Sequence, residues 1–348
     1  MEKLTQYSRA AGCGCKIAPA QLQEILSSNT EIPFFENLIT GNAGNEDAAV
    51  YDLGNGESII STTDFFMPVV DDAFDFGSIA SANAISDVYA MGGIPLMAIA
   101  ILGWPIEKLP ATLAQQVLEG ARDVCAKAGI PLAGGHSVDS AEPLFGLAVT
   151  GRIATSNIKK NNTAQAGDAI FITKPIGTGI LSTAQKRGLI SDEHAASMVI
   201  QMKTLNNIGS FLGSLNEVTA MTDITGFGLM GHLIEMAEGA NLSATINYAS
   251  IPFTEGVKDY LNQKAVPDAT YRNWNAYSKK VKFEKGVNVM EAFTLLPDPQ
   301  TNGGLMFTVS VQDEETLLQK IKAENPSQQT WKIGQFILQN EKIVIVEL

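Results

Sequence analysis

A mixed α/β (α+β) fold in two domains is predicted by three observations. Strand-like and helix-like hydrophobic periods alternate between residues 57 and 150, the pattern that builds sheets covered by helices. A polar stretch without period interrupts them at residues 157–165, and the alternation restarts at Ala169. At 348 residues the chain is also longer than one ordinary core organises, which favours about two domains.

From the start, Met1 to Ala18 shows neither a helical nor a strand period and reads as a mobile segment. Residues 57–63 alternate as a strand that stops at Asp64, and Ser78 to Met91 is a helix of small residues ended by Gly92-Gly93. Leu96 to Leu102 is a buried strand. Leu113, Val117, Leu118, Ala121, Val124, Cys125 and Ala128 recur at helical spacing until Gly129. A Gly134-Gly135-His136 turn leads to a strand at Leu144 to Val149. Beyond the polar stretch come a strand at Ala169 to Thr173, a helix after Gly177-Thr178-Gly179, and a longer helix from about Asp192 to Leu215. A helix at Leu229 to Glu238 and strands at Leu305 to Val309 and Lys342 to Val346 complete the pattern. The resulting division is an N-terminal segment at 1–20, a first domain at 21–155, a linker at 156–165 and a second domain at 166–348.

Composition narrows the function. Apolar residues make up 45% of the chain and charged residues 18%, which describes a packed protein and not a disordered one. A net charge of −13 argues against a nucleic-acid partner, which needs a basic face. The longest apolar run, Leu96 to Trp104, is far too short for a membrane span. Three cysteines exclude a disulfide scaffold, the first residues do not read as a signal peptide, and the expected location is the cytoplasm.

The most informative stretch is Gly12-Cys13-Gly14-Cys15-Lys16. Cysteine reacts as its thiolate, and a neighbouring ammonium lowers the thiol pKa. Four aspartates, Asp47, Asp64, Asp87 and Asp223, sit beside strand ends, turns or small residues. Mg²⁺ prefers one or two carboxylates together with substrate phosphates and waters, so such a set near glycine turns suggests a metal–nucleotide site. Singly, each aspartate reads more naturally as a cap or turn residue. Asp87 departs from that because it lies inside a helix, with Asn83 one turn away on the same face.

There is no P-loop. Gly226-Phe227-Gly228-Leu229-Met230-Gly231 matches the spacing of a dinucleotide fingerprint, although Asp223 just before it would repel a pyrophosphate. Cys125 reads as a core thiol and His232 as structural, while His136 is balanced between a turn residue and a ligand contact. Cys13 and Cys15 could also hold a soft metal such as Cu(I) in a non-catalytic protein.

Taken together, Leu4-Thr5-Gln6-Tyr7-Ser8, Gly12 to Lys16, Gly44-Asn45-Glu46-Asp47, Ser61 to Phe66, Asn83 to Asp87 and Gly134 to Ser137 resemble the selenophosphate synthetase (selenide, water dikinase) family. Thr173 to Gly179, Thr222 to Gly228 and Pro297 to Thr301 extend the likeness through the second half. Several of these segments are similar to the wider aminoimidazole-ribonucleotide-synthetase superfamily, whose other synthetases and kinases form ADP. The Cys-Gly-Cys-Lys segment separates the selenide enzymes from them.

The resemblance implies that ATP, selenide and water give selenophosphate, AMP and phosphate, with Mg²⁺ required. It also implies a homodimer joined through the N-terminal sheets, and it leaves a selenium-delivery protein as a further partner. Carried onto this chain, it makes Cys13 the selenium-handling nucleophile, Lys16 the cation that meets the phosphates, and residues 1–20 a lid. Asp47, Asp87 and Asp223 become Mg²⁺ ligands, with Asp64 and Asp87 in the nucleotide shell. Gly44, Asn45 and Glu46 become ATP contacts, as do Gly135, His136 and Ser137, the latter three lent by a partner subunit. Two departures stand in the second half: Asp268-Ala269 where a Gly-Gly pair is usual, and Asn302 where a serine is.

Overall fold

The computed structural model describes residues 3–8, 12–17, 19–26, 34–41 and 46–348. The N-terminal segment is more ordered locally than its lack of period suggests. It forms two 3-10 turns, Leu4–Tyr7 and Gly12–Cys15, and then helix α1 (Pro19–Leu26). Leu4 is fully buried, and Thr5 donates both its backbone N–H and its hydroxyl to Asp71.

Strands β1 (Leu38–Thr40), β2 (Ala49–Asp52) and β3 (Glu57–Phe66) form an antiparallel meander. β3 runs through Asp64 instead of stopping there, because its ladder with β6 continues to Phe66. Helix α2 (Ala73–Ala90) starts earlier than its small-residue run, at Asp72, whose carboxylate caps the Asp75 N–H. Strand β4 (Ile94–Trp104), helix α3 (Ala111–Lys127), β5 (Leu132–Asp139) and β6 (Leu144–Ala154) follow. Gly134-Gly135-His136 is thus part of edge strand β5, parallel to β4, and not a turn; the two glycines hid the strand by removing its side-chain alternation.

The six strands order as β1-β2-β3-β6-β4-β5. Helix α2 lies against this sheet with α3 packed on it. Almost every residue of α2 is buried, and the two helices approach closely at glycines: a Cβ on Gly77 would fall 1.9 Å from the Val117 carbonyl oxygen.

The second half begins with β7 (Ala169–Ile172), α4 (Thr178–Lys186), α5 (Asp192–Lys203) and α6 (Ile208–Gly213). The single helix expected over 192–215 is therefore two. Asn302 donates its side-chain amide to the Met202 and Thr204 carbonyls, and the Lys174 ammonium also reaches the Thr204 carbonyl. These donors take carbonyls at the helix end, so the chain turns there instead of continuing.

Next come β8 (Val218–Asp223), α7 (Gly228–Gly239), β9 (Leu242–Asn247), α8 (Val257–Asn262) and α9 (Asp268–Tyr277). The chain ends with β10 (Val281–Phe283), α10 (Val289–Leu295), β11 (Leu305–Val309), α11 (Glu314–Glu324), β12 (Trp331–Leu338) and β13 (Val344–Glu347). The seven strands order as β10-β13-β9-β12-β7-β11-β8 with mixed parallel and antiparallel pairs. Both halves are mixed sheets covered by helices, and α2 bridges them by packing on α5, α6 and β8. Among the described residues no helix is long and apolar enough to cross a membrane.

Candidate active site

Alternation along β3 turns Thr62 and Asp64 to the same side as buried Ile60 and Phe66, the side covered by α2. Helix α2 answers with Asn83, Ser86 and Asp87, all buried. At the edge of the second sheet, β8 ends on buried Thr222 and Asp223. Asp47, just before β2, completes the group.

Each carboxylate takes a side-chain donor. Thr62 gives its hydroxyl to Asp87, Ser86 to Asp223 at 2.5 Å and Thr222 to Asp47 at 3.0 Å. Asp64 accepts the Asn83 amide at 2.8 Å and faces the Lys16 ammonium at 3.5 Å. Asn83 is fixed in turn by the Asn302 backbone N–H at 2.8 Å, and the Asn206 amide donates to Ser86 at 2.8 Å. Four of these contacts, Ser86–Asp223, Thr222–Asp47, Asn302–Asn83 and Asn206–Ser86, cross between the halves.

Burial and mutual repulsion disfavour ionisation here. The Asp47 carboxyl is held well above the usual carboxylate range, first by burial and then by Asp223 and Asp87. Asp87 is raised likewise, first by burial and then by Asp223 and Asp64, while Lys16 opposes the shift. Asp223 is pushed up to about 6 by burial, with the Ser86 hydroxyl and Lys16 pulling it down. Oxygen Oδ2 of Asp47 is buried with no hydrogen-bond partner among the described residues. A hard divalent cation would satisfy that oxygen and relieve the repulsion. Among the described residues no three His, Cys, Asp or Glu side chains converge on one metal position. Such a donor set still fits Mg²⁺, which takes few protein ligands and leaves room for phosphate oxygens and water.

The turn Gly12–Cys15 is tied down by its backbone. Gly12 N–H donates to Met67 O at 3.1 Å, and Arg272 donates to Gly14 O at 2.8 Å. Lys16 thereby reaches the carboxylates; the thiols of Cys13 and Cys15 lie outside the described residues, as do Gly44 and Asn45. Glu46 accepts the Asn161 backbone N–H at 3.0 Å and braces the segment between the halves. Gly135, His136 and Ser137 stand on β5, three strands from β3. At sheet spacing that is about 14 Å, so the fold of this chain does not bring them to the carboxylates.

The Gly226–Gly231 stretch is not an open phosphate cradle. Ile224 to Gly226 and Gly228 are buried, and a Cβ on Gly228 would lie 2.6 Å from the Pro297 carbonyl carbon. His232 is buried, and its Nε2 accepts the Thr225 N–H at 3.1 Å. Cys125 is a buried core thiol, pushed up to about 11 by burial.

Sequence reading missed the hydroxyl donors Thr62, Ser86 and Thr222, although each lies within two residues of an aspartate. It also missed Lys174, which is buried, gives its ammonium to the Thr204 and Asn302 carbonyls, and is brought down to about 7 by burial. A lysine two residues beyond an all-apolar strand was the available signal.

The same chain can now be set beside known proteins. Residues 45–153 match the family model of the AIR synthase related protein N-terminal domain, and residues 165–347 match that of its C-terminal domain. A selenide, water dikinase of Colwellia psychrerythraea is 53% identical over 313 residues, covering 90% of each chain. One from Haemophilus influenzae is 50% identical over 346 residues, covering 99% of this chain and 98% of its own. In fold, a thiamine-monophosphate kinase from Stenotrophomonas maltophilia superposes with a TM-score of 0.66 at 19% identity, over 89% of this chain and 91% of that one. Half-identity over nearly the whole length, with both domain models matched, establishes that the chain belongs to the selenide, water dikinase family of AIR synthase related proteins.

Proposed function

We infer that the protein is an ATP-dependent selenide, water dikinase, converting ATP, selenide and water to selenophosphate, AMP and phosphate. The observation that carries this reading is the Lys16–Asp64 ion pair, which seats the cysteine-bearing turn against a buried carboxylate cluster at the junction of the two halves.

Phosphoryl transfer demands positioning and charge neutralisation more than covalent help. Asp47, Asp87 and Asp223 would hold Mg²⁺, with Asp64 and Asp87 in the nucleotide shell. The bound cations supply charge neutralisation at the phosphate oxygens. Lys16 adds a fixed positive charge, and residues 1–20, acting as a lid, exclude water that would compete with selenide. Cys13 presents selenium to the γ-phosphorus. Attack there forms the P–Se bond and breaks the bond to the β-phosphate oxygen, which departs as the terminal oxygen of an ADP retained in the site. Water then cleaves ADP to AMP and phosphate within the closed site. Gly44, Asn45 and Glu46 are assigned to ATP.

A homodimer fits this reading. The face of the first sheet away from α2 exposes Phe65, Ile94, Met97, Ile99 and Val138. Contiguous apolar surface of this kind marks an association site, and joining two such faces would let β5 of one protomer lend Gly135, His136 and Ser137 to the other's nucleotide. The chain division at 1–20, 21–155, 156–165 and 166–348 places the dimer contacts and most nucleotide and metal contacts in the second of these segments, with Lys16 added from the first and Asp223 from the last.

Phosphorus NMR of ATP turnover tests the reaction. A P–Se resonance should appear with selenide present, alongside AMP. ADP as the final nucleotide, or no P–Se species, would move the chain to an ADP-forming relative's chemistry.

A further inference from the structure

A cavity of about 500 Å³ opens between α4 and α9, with Gly14 of the cysteine turn on its wall. None of the four clustered aspartates lines it. Three cations do: Lys186, Arg187 and Arg272, against a single acid, Asp268. Each cation is held by a backbone carbonyl instead of a carboxylate. Lys186 donates to Ser8 O at 2.8 Å, Arg187 to Lys264 O at 2.7 Å and Arg272 to Gly14 O at 2.8 Å. Among the described residues none of the three forms an ion pair.

In a chain of net charge −13, three adjacent cations facing a single acid are an anion-attracting feature. A guanidinium carries five N–H donors in a fork that matches a carboxylate or phosphate, and the carbonyl contacts engage only part of each fork. The hydroxyls of Ser182 and Thr183 add polar groups to the wall, while Val266, Pro267 and Pro299 supply an apolar one. A volume in the small-molecule range and a wall apolar on one side suit an organic anion more than a bare inorganic one.

We propose that this cavity binds a small organic dianion, a dicarboxylate or a phosphate monoester, and that the Arg272–Gly14 contact couples its occupation to the cysteine turn. Arg272 both lines the cavity and holds the turn's carbonyl, so a ligand that draws on the guanidinium also alters the support of Gly14. Binding at the cavity stands apart from the reaction proposed above. A chain that makes no selenophosphate could still bind the anion, and the two failures would be read in different experiments.

The test is calorimetric titration of the full chain with succinate, glycerol 3-phosphate and orthophosphate, each alone. Either organic probe should bind at least ~10-fold more tightly than orthophosphate, and the one that does identifies the source of the anion. Arg187→Ala should weaken that binding by ~10-fold or more, the effect of one charged hydrogen bond, with ATP binding unchanged. Hydrogen exchange at the amides of residues 12–16 should change when the probe binds. Three results would overturn the proposal: no heat from either organic probe at millimolar concentration, orthophosphate binding as tightly as both, or affinity that survives Arg187→Ala. Unaltered exchange in the turn on saturation would overturn the coupling.

Discussion

Ser86 on α2 donates its hydroxyl to Asp223 at the end of β8, joining residues 137 apart in sequence and in different halves of the molecule. The same hydroxyl oxygen accepts the Asn206 amide. One small side chain therefore fixes the orientation of a buried carboxylate and ties it to the loop between α5 and α6.

Replacing Ser86 with alanine would leave Asp223 without that donor and the Asn206 amide with one acceptor fewer. The cost of such a loss is about 1–3 kcal/mol, read as a lower denaturant midpoint with unchanged slope. A midpoint equal to the parent's would mean that the contact does not orient Asp223.

Asp87→Asn separates stability from function. Asparagine keeps the size of the side chain and can still accept from the Thr62 hydroxyl, while the charge that Asp223 and Asp64 oppose is gone. The metal-free variant should melt no lower than the parent. Stabilisation by Mg²⁺ with ATP should shrink, and selenophosphate formation should fall by ~10²-fold or more, the scale of losing one electrostatic stabiliser. Full activity with undiminished Mg²⁺ stabilisation would remove Asp87 from the metal site.

Most of the cluster was legible because its residues fall in short polar interruptions of apolar segments. Asp87 stood out as a poor helix former inside a small-residue helix, and Asp223 by its place beside the glycines of residues 226–231. Their assembly was not legible. No local period reveals that β8 reaches α2, since that depends on sheet order and on the packing of α5 and α6 against α2. Strand β5 escaped for a different reason: two glycines and a run of exposed residues leave it no hydrophobic alternation. The break between α5 and α6 is made by Asn302 and Lys174, far away in sequence, so propensity alone reads one helix. Asn302, one of the two departures from the family pattern, thus has a structural task here: it caps α5 and positions Asn83.

His232 gives a pH dependence whose sign follows from geometry. Its Nε2 must be unprotonated to accept the Thr225 N–H, and burial lowers the group to about 3, below its ordinary 6.5. Between those values the unfolded chain binds a proton that the folded chain refuses. Stability is therefore fully present above about pH 6.5 and falls as pH drops toward 3, by up to ~1.4 kcal/mol per pH unit for one proton. The raised carboxyls of Asp223 and of Glu235, which lies 3.5 Å from His232 Nδ1, contribute the opposite slope. The His232 effect is therefore read as a difference: by urea unfolding, the stability of the parent relative to His232→Gln should fall between pH 7.5 and 5. Identical slopes would show that His232 does not carry the effect.

Ile99 projects from β4 on the open face of the first sheet, 46% exposed, in the same band as Phe65 and Val138. If two such faces join, Ile99→Asp places two carboxylates in an apolar interface at a severe desolvation cost. Sedimentation should then show a monomer where the parent is a dimer. Turnover should fall with it, because the monomer's nucleotide would lack Gly135 to Ser137 of a partner subunit. A parent that sediments as a monomer at micromolar concentration would end the dimer reading.

Cys13→Ser probes the central chemical claim. Serine keeps the size of the side chain but is neither a thiolate nor a soft nucleophile at neutral pH. The turn's backbone anchors, Gly12 to Met67 and Arg272 to Gly14, do not involve the side chain and should persist. Lys16 should therefore still meet Asp64, and ATP affinity by calorimetry should stay within about threefold, a difference of less than ~1 kcal/mol. Selenophosphate should vanish from the phosphorus spectrum. Any remaining ATP breakdown would be hydrolysis, because water reaches a γ-phosphorus that no selenium nucleophile occupies. Parallel measurement of Cys15→Ser decides how the two thiols divide the work. A variant at position 13 that still forms the P–Se species at the parent's rate would mean that selenide reaches ATP without this sulfur, and that the turn serves only to carry Lys16 to the carboxylates.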